Sequence, residues 1–193
     1  MGSHDDGGLC DVPGEQRVNI FAVVIYIPDP LGRFLDDLRR ELAPRCNPHA
    51  HVSVLPPRPL AVEWHAASGQ AHALTRGWAP FEIELGGLQI FPVTDVIYIE
   101  IGAGASELRR MHTAMNTGAL QFLEPFPYHP HITLAQEIPR QEVRCIHELA
   151  LRRWKEYRGS SVFRVERAVF VQNTPDNCWI DLAEYSLGPA AAT

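Results

Sequence analysis

Apolar and polar positions alternate along this chain in blocks that define its elements. Val18 to Pro28 is a β-rich apolar run, which predicts a strand buried on both faces. From Asp29-Pro30 to about Ala43, Leu31, Phe34, Leu35, Leu38 and Leu42 recur at helical spacing, which predicts an amphipathic helix. A short apolar-alternating segment from His51 follows. Pro56-Pro57-Arg58-Pro59 is expected to end it abruptly, because proline has no N–H to give to a ladder. Residues 61–76 read as a helix. Phe81 to Leu85, Leu88 to Pro92 and Val96 to Ile101 read as strands, and Ser106 to Leu120 as a helix capped by Ser106. After a Pro-rich approach over 125–128, a second alternating strand starts near His131. A helix is predicted over Gln141 to Tyr157. Val162 to Gln172 and Trp179 to Leu187 read as a hairpin about Thr174 to Asn177. Strand, helix, strand and helix thus recur in similar order, which predicts an α+β fold with a trace of internal duplication.

Two of those strands open on the same pattern. His49-Ala-His51-Val-Ser53-Val and His129-Pro-His131-Ile-Thr133-Leu both read His-x-His-apolar-hydroxyl-apolar, eighty residues apart. Residues two apart on a strand share a face. Each copy therefore aligns imidazole and hydroxyl on one side and sends Val52 and Val54, or Ile132 and Leu134, to the other. A pair of imidazoles can act as general acid and general base. A pair of hydroxyls can donate hydrogen bonds to an oxyanion. His51, His131, Ser53 and Thr133 are the candidate catalytic residues on this pattern.

The repeated motif resembles that of the two-histidine (2H) phosphoesterase superfamily, His-x-Thr/Ser-x occurring twice. His51-Val-Ser-Val-Leu-Pro-Pro57 and Tyr128-His-Pro-His-Ile-Thr-Leu-Ala135 are similar to the two segments of its branch of 2′,5′-RNA ligases and RNA 2′,3′-cyclic phosphodiesterases. The opening strand Asn19 to Pro28 resembles that branch as well, and Ser53 stands where Thr is more usual. The resemblance covers roughly residues 17–187. It implies two similar lobes about a pseudo-twofold axis, with mainly antiparallel sheets facing a central cleft and helices outside. It also implies metal-independent hydrolysis of a 2′,3′-cyclic phosphate to a 2′-phosphate, or of a 2′,5′-phosphodiester, with ligation as the reverse reaction. His51 is then the acid and His131 the base, and no cofactor is needed.

Composition narrows the partners. The chain has 193 residues, 46% apolar and 21% charged, with a formal charge of −6. That balance fits a globular domain and argues against a broad surface for duplex DNA, which needs many phosphate-neutralising cations. An RNA end or small nucleotide phosphodiester needs only a local positive site. No run is apolar enough to span a bilayer, and no secretory pattern opens the chain. Cys10, Cys46, Cys145 and Cys178 are scattered. A cytoplasmic protein with free thiols is expected. Residues 1–16 are expected to be disordered, 17–187 to form one bilobal domain, and 188–193 to be a tail.

Secondary candidates surround the motifs. Tyr128 is placed to stack on a base, and Arg58 and Arg140 lie just beyond the two motifs, where either can hold a phosphate. His49 and His129 repeat the two-residue spacing upstream and would add positive charge to the cleft. Against these stand blander readings: rim aromatics, solvated arginines and turn histidines. Two other function classes remain, a non-catalytic nucleotide or RNA-end binding module on the same fold, and a metal-dependent hydrolase built on the imidazole cluster. The chain has no Walker-type phosphate loop.

Overall fold

The strand Phe21–Tyr26 (β1) is buried at five of its six positions, as its continuous apolar run requires. The computed structural model describes residues 17–43 and 49–188. The expectations for residues 1–16 and 189–193 fall outside that range. After β1 come α1 (Leu31–Leu42), β2 (His51–Arg58), α2 (Trp64–Thr75), β3 (Phe81–Ile90), β4 (Ile97–Ile101) and α3 (Ala105–Met115). A short 3-10 turn (Gly118–Leu120) precedes β5 (His131–Ala135), α4 (Val143–Glu156), β6 (Val162–Val165), β7 (Arg167–Asn173) and β8 (Trp179–Ser186).

The strands form two four-stranded sheets, ordered β2-β1-β7-β8 and β5-β4-β3-β6. All of their pairings are antiparallel. The two orders superimpose as halves of one plan. Each motif strand lies at an edge, beside the strand that precedes it by one helix. β3 of the first half, and β7 with β8 of the second, cross into the sheet of the other half. The helices cross as well: α1 packs on β5 and α3 on β2. One apolar core, including Val52, Val54, Ile132 and Leu134, runs through both halves.

Four sequence expectations are corrected. The prolines do not end β2, which continues through Pro56 and Pro57 to Arg58. It is an edge strand, and its register against β1 shifts between Leu55 and Arg58, where missing N–H groups are tolerated. The two predicted strands over 81–92 are one strand, β3, whose register shifts around Gly86 and Gly87. Ser106 does not cap α3: Gly104 takes that place with φ 86°, and a Cβ there would come within 2.5 Å of the Glu82 carbonyl oxygen. The run Val162 to Gln172 divides at Glu166, so that β6 joins one sheet and β7 the other.

The cysteine reading also changes. Cys145 is a free, exposed thiol, but Cys178 is disulfide-bonded. Spacing along a chain does not reveal which Cα atoms meet in space. Cys10 and Cys46 lie outside the described residues.

Arg58 is the most consequential correction. It is 1% exposed and is part of the frame. Its Nε donates to the Pro56 carbonyl at 2.9 Å, and its Nη1 to Asn116 Oδ1 at 2.8 Å and the Leu120 carbonyl at 2.9 Å. Nη2 is ion-paired with Glu124, whose Oε1 also meets His112 Nε2 at 2.8 Å. The end of β2 is thereby tied to the segment that leads into β5. Breaking a buried ion pair from one side leaves an uncompensated charge, which costs about 3–5 kcal/mol. Glu124→Ala is expected to lower unfolding stability by that order, measured by urea denaturation, and Glu124→Gln by less.

Candidate active site

The imidazole and hydroxyl positions of both motifs alternate with core positions as strand geometry demands. His51 and Ser53, and likewise His131 and Thr133, are half-buried, while Val52, Val54, Ile132 and Leu134 are buried. All four polar side chains line one cleft of about 1360 Å³ between the two sheets, and β2 and β5 are in contact across it.

Each imidazole is held in the same way. Nδ1 of His51 lies 2.8 Å from the His49 carbonyl, and Nδ1 of His131 lies 2.6 Å from the His129 carbonyl. A carbonyl only accepts, so Nδ1 carries the proton in both rings. Nε2 is left as the atom that can exchange one. The residue two before each histidine thus contributes its backbone to the site, whatever its side chain does.

Both rings are shifted away from the charged form. Burial is the main cause at His51, whose pKa is pushed down to about 4, with the charges of Arg39, His131 and His49 adding to the effect. The His49 carbonyl opposes this by favouring the protonated ring. Burial likewise lowers the pKa of His131, helped by His129 and opposed by the His129 carbonyl. That His131 acts on His51 electrostatically accords with the two rings sharing one site.

His49 and His129 precede the strands, which begin at His51 and His131, and both line the cleft. His49 Nδ1 stands 3.8 Å from Asp36 Oδ2, and its ring meets Tyr26 edge-on. His129 packs edge-on against Phe91 and Tyr98, with its Nε2 buried and without a hydrogen-bond partner. Tyr128 donates its hydroxyl to the Ser53 carbonyl at 2.8 Å, and one ring face stacks on His112 at 4.0 Å. Tyr128 therefore ties the approach of the second motif to the strand of the first, and at most one of its faces is open to a base. Arg58 is enclosed as described and does not line the cleft. Arg140 is solvent-exposed, 3.9 Å from Asp95, and does not line it either.

Arg39 was not anticipated. It is 3% exposed, lines the cleft and acts on His51 electrostatically. Its signal was present in the sequence: it lies four after Leu35 and three before Leu42, inside the apolar stripe of α1. Phe91 and Tyr98 were also missed. They stack at 3.9 Å, and both meet His131 edge-on, so their aromatic surface contributes to the burial that lowers its pKa. Among the described residues, no group of three or more His, Cys, Asp or Glu side chains is arranged to hold a metal.

Fold and site can now be set beside known proteins. The profile of the 2′-5′ RNA ligase superfamily matches residues 27–177, and the chain belongs to that family, which is of the two-histidine phosphoesterase class. TT0787 of Thermus thermophilus shares the fold with a TM-score of 0.63 at 19% identity, covering 88% of this chain and 98% of that one. LigT of E. coli, solved with 3′-AMP, gives 0.62 at 14% identity, covering 90% and 98%. The "Putative phosphoesterase" of Oceanobacillus iheyensis is 33% identical over 64 residues, which are 33% of this chain and 37% of that protein. No helix among the described residues is long and apolar enough to cross a membrane.

The electrostatics of His51 can be read directly. In an NMR titration its ring is expected to protonate near pH 4. In Arg39→Met the midpoint should move upward, toward the ordinary imidazole value, since a positive neighbour has been removed. An unmoved midpoint would show that the Arg39 charge does not contribute to it.

Proposed function

We propose that this protein is a metal-independent phosphodiesterase acting on 2′,3′-cyclic phosphates, to give 2′-phosphates, or on 2′,5′-phosphodiesters, with ligation as the reverse reaction. The observation that carries the reading is the duplicate site: two imidazoles, each with Nδ1 tied to a carbonyl two residues upstream, and two hydroxyls lining the same cleft. Membership of the two-histidine class supports it, as do the complexes of E. coli LigT with 3′-AMP, phosphate, NADP+ and ATP.

In cyclic phosphate hydrolysis, His131 Nε2 takes a proton from the attacking water as its oxygen bonds to phosphorus. The bond from phosphorus to the 3′ oxygen breaks, and His51 Nε2 protonates that oxygen. Ser53 and Thr133 donate to the non-bridging oxygens, where negative charge builds. In ligation, which reverses cleavage of a 2′,5′-diester, a 5′-hydroxyl takes the place of water. It bonds to phosphorus through its oxygen as His131 takes its proton, and the 3′ oxygen leaves as before, protonated by His51. His51 must be charged to act as acid, yet its pKa in the empty site is depressed. An arriving phosphodiester anion favours the charged form, so binding and proton uptake are coupled. An imidazolium that remains reluctant to hold its proton is a strong donor to a leaving alkoxide.

His49 and His129 add to this field. Both line the cleft, and each lowers the pKa of its catalytic neighbour when charged. His49→Gln with His129→Gln is expected to weaken binding of a phosphodiester anion at mildly acidic pH, with a smaller loss at alkaline pH, while turnover persists. Calorimetry across that range measures it, and binding unchanged across it would leave the two side chains no part in holding the anion.

The central test is product analysis on a panel of 2′,3′-cyclic and 2′,5′-linked substrates with a chelator present. His51→Ala and His131→Ala should each reduce kcat by ~10²–10⁴ while circular dichroism stays unchanged. Ser53→Ala and Thr133→Ala should reduce it less. Near-normal turnover in either histidine variant would rule out the acid–base pair. Binding of the panel with no turnover of any member would identify a binding module, and loss of activity to the chelator a metal enzyme.

A further inference from the structure

The charges around the cleft do not match a polyanion. Among the described residues that line it, Arg39 is the one arginine or lysine, and the carboxylates are Glu124, Glu137 and Glu142. Glu124 is neutralised by Arg58, whereas Glu137 and Glu142 are both exposed. Beside the first motif, Asp36 approaches His49, and Asp181 accepts from Tyr26 at 2.6 Å. Among the described lining residues the four imidazoles are the remaining source of positive charge, and those of His51 and His131 are held toward the neutral form.

The walls, by contrast, are apolar on both sides of the motifs. On the side of the first sheet, Val24, Val171 and Trp179 line the cleft. On the other side it is lined by Phe91, by Val93, which is 78% exposed, and by Phe126, which is 56% exposed. A volume of about 1360 Å³ exceeds the ~300–1,000 Å³ of an ordinary small-molecule site. The space is therefore large, with a single fixed cation among its described residues.

Building on the phosphodiesterase reading, we propose that the preferred substrate carries one phosphate charge flanked by uncharged, largely aromatic bulk on both sides. A 2′,5′-linked dinucleoside monophosphate is of this class, and a longer RNA end is not. A further phosphate finds no other arginine or lysine among the described lining residues, and the exposed carboxylates of Glu137 and Glu142 oppose it by like charge.

The test compares a 2′,5′-linked dinucleoside monophosphate with the same molecule bearing a 5′-phosphate and with the 2′,5′-linked trinucleotide. Expected is a kcat/KM roughly tenfold higher for the singly charged substrate. The slope of log affinity against log salt should be no steeper than about −0.7, the value for one neutralised phosphate. Glu137→Gln with Glu142→Gln should narrow the gap. The same ligands are titrated into the His131→Ala variant with intrinsic tryptophan fluorescence as the signal, Trp179 being the tryptophan that lines the cleft, so the charge preference is read without turnover. Affinity that rises with the number of phosphates in that variant would overturn the proposal, even if every diester is cleaved. Failure of the native protein to turn over any diester would instead overturn the phosphodiesterase reading.

Discussion

The cleft depends on one buried charge. Arg58 ends the first motif strand, and its guanidinium bonds to Pro56, Asn116, Leu120 and Glu124. Those last three belong to the connection that carries the chain from α3 toward the second motif strand. Tyr128 completes the tie by donating to the Ser53 carbonyl. A planar group with five donors in fixed directions is suited to this role, since it satisfies several acceptors at once and holds them in one geometry. The enclosed pair is worth less as net stability than as a specification of where the connection lies. Two edge strands from different sheets must meet at a set distance for their imidazoles to share one phosphate, and this contact sets the approach of one to the other.

The same economy of contacts governs the imidazoles. A strand brings His and hydroxyl to one face but leaves the ring free to turn. The carbonyl two residues upstream removes that freedom and selects the tautomer with Nε2 available. Burial against Phe91 and Tyr98 at His131, and burial beside Arg39 at His51, hold each ring toward its neutral form. In the proposed reaction, the arriving anion supplies the charge that switches them.

The crossing of elements explains why the halves do not separate into independent lobes. β3 and β7 each complete the sheet of the other half, and α1 and α3 each cover a motif strand of the other half. A disturbance in one motif strand is thus felt beneath the other. This is the structural counterpart of the proposed reaction, which draws its acid from one half and its base from the other.

The sequence by itself determined most of the elements and the pairing of motifs, because both are written in local periodicity, while strand breaks at 81–92 and 162–172 were set by sheet pairing. The two-residue alternation of His51, Ser53 and Val52, repeated at His131, Thr133 and Ile132, dictates which side chains share a face without reference to the rest of the fold. The apolar stripe of α1 and the continuous run of β1 are equally local. What only the tertiary structure decided are the roles that rest on contacts between distant segments. Arg58 and Arg140 stand at matching places in sequence, yet one is enclosed by residues some sixty positions away and the other lies in solvent. Arg39 stands within the apolar stripe of α1, but its nearness to His51 is decided only when α1 packs beside the cleft. Tyr128 looks like a stacking platform until its hydroxyl meets Ser53. Prolines that would break a central strand are accommodated because β2 lies at an edge. The reason is common to all of them: periodicity fixes the face on which a side chain lies, and the partner it meets there is fixed only when two sheets close on each other.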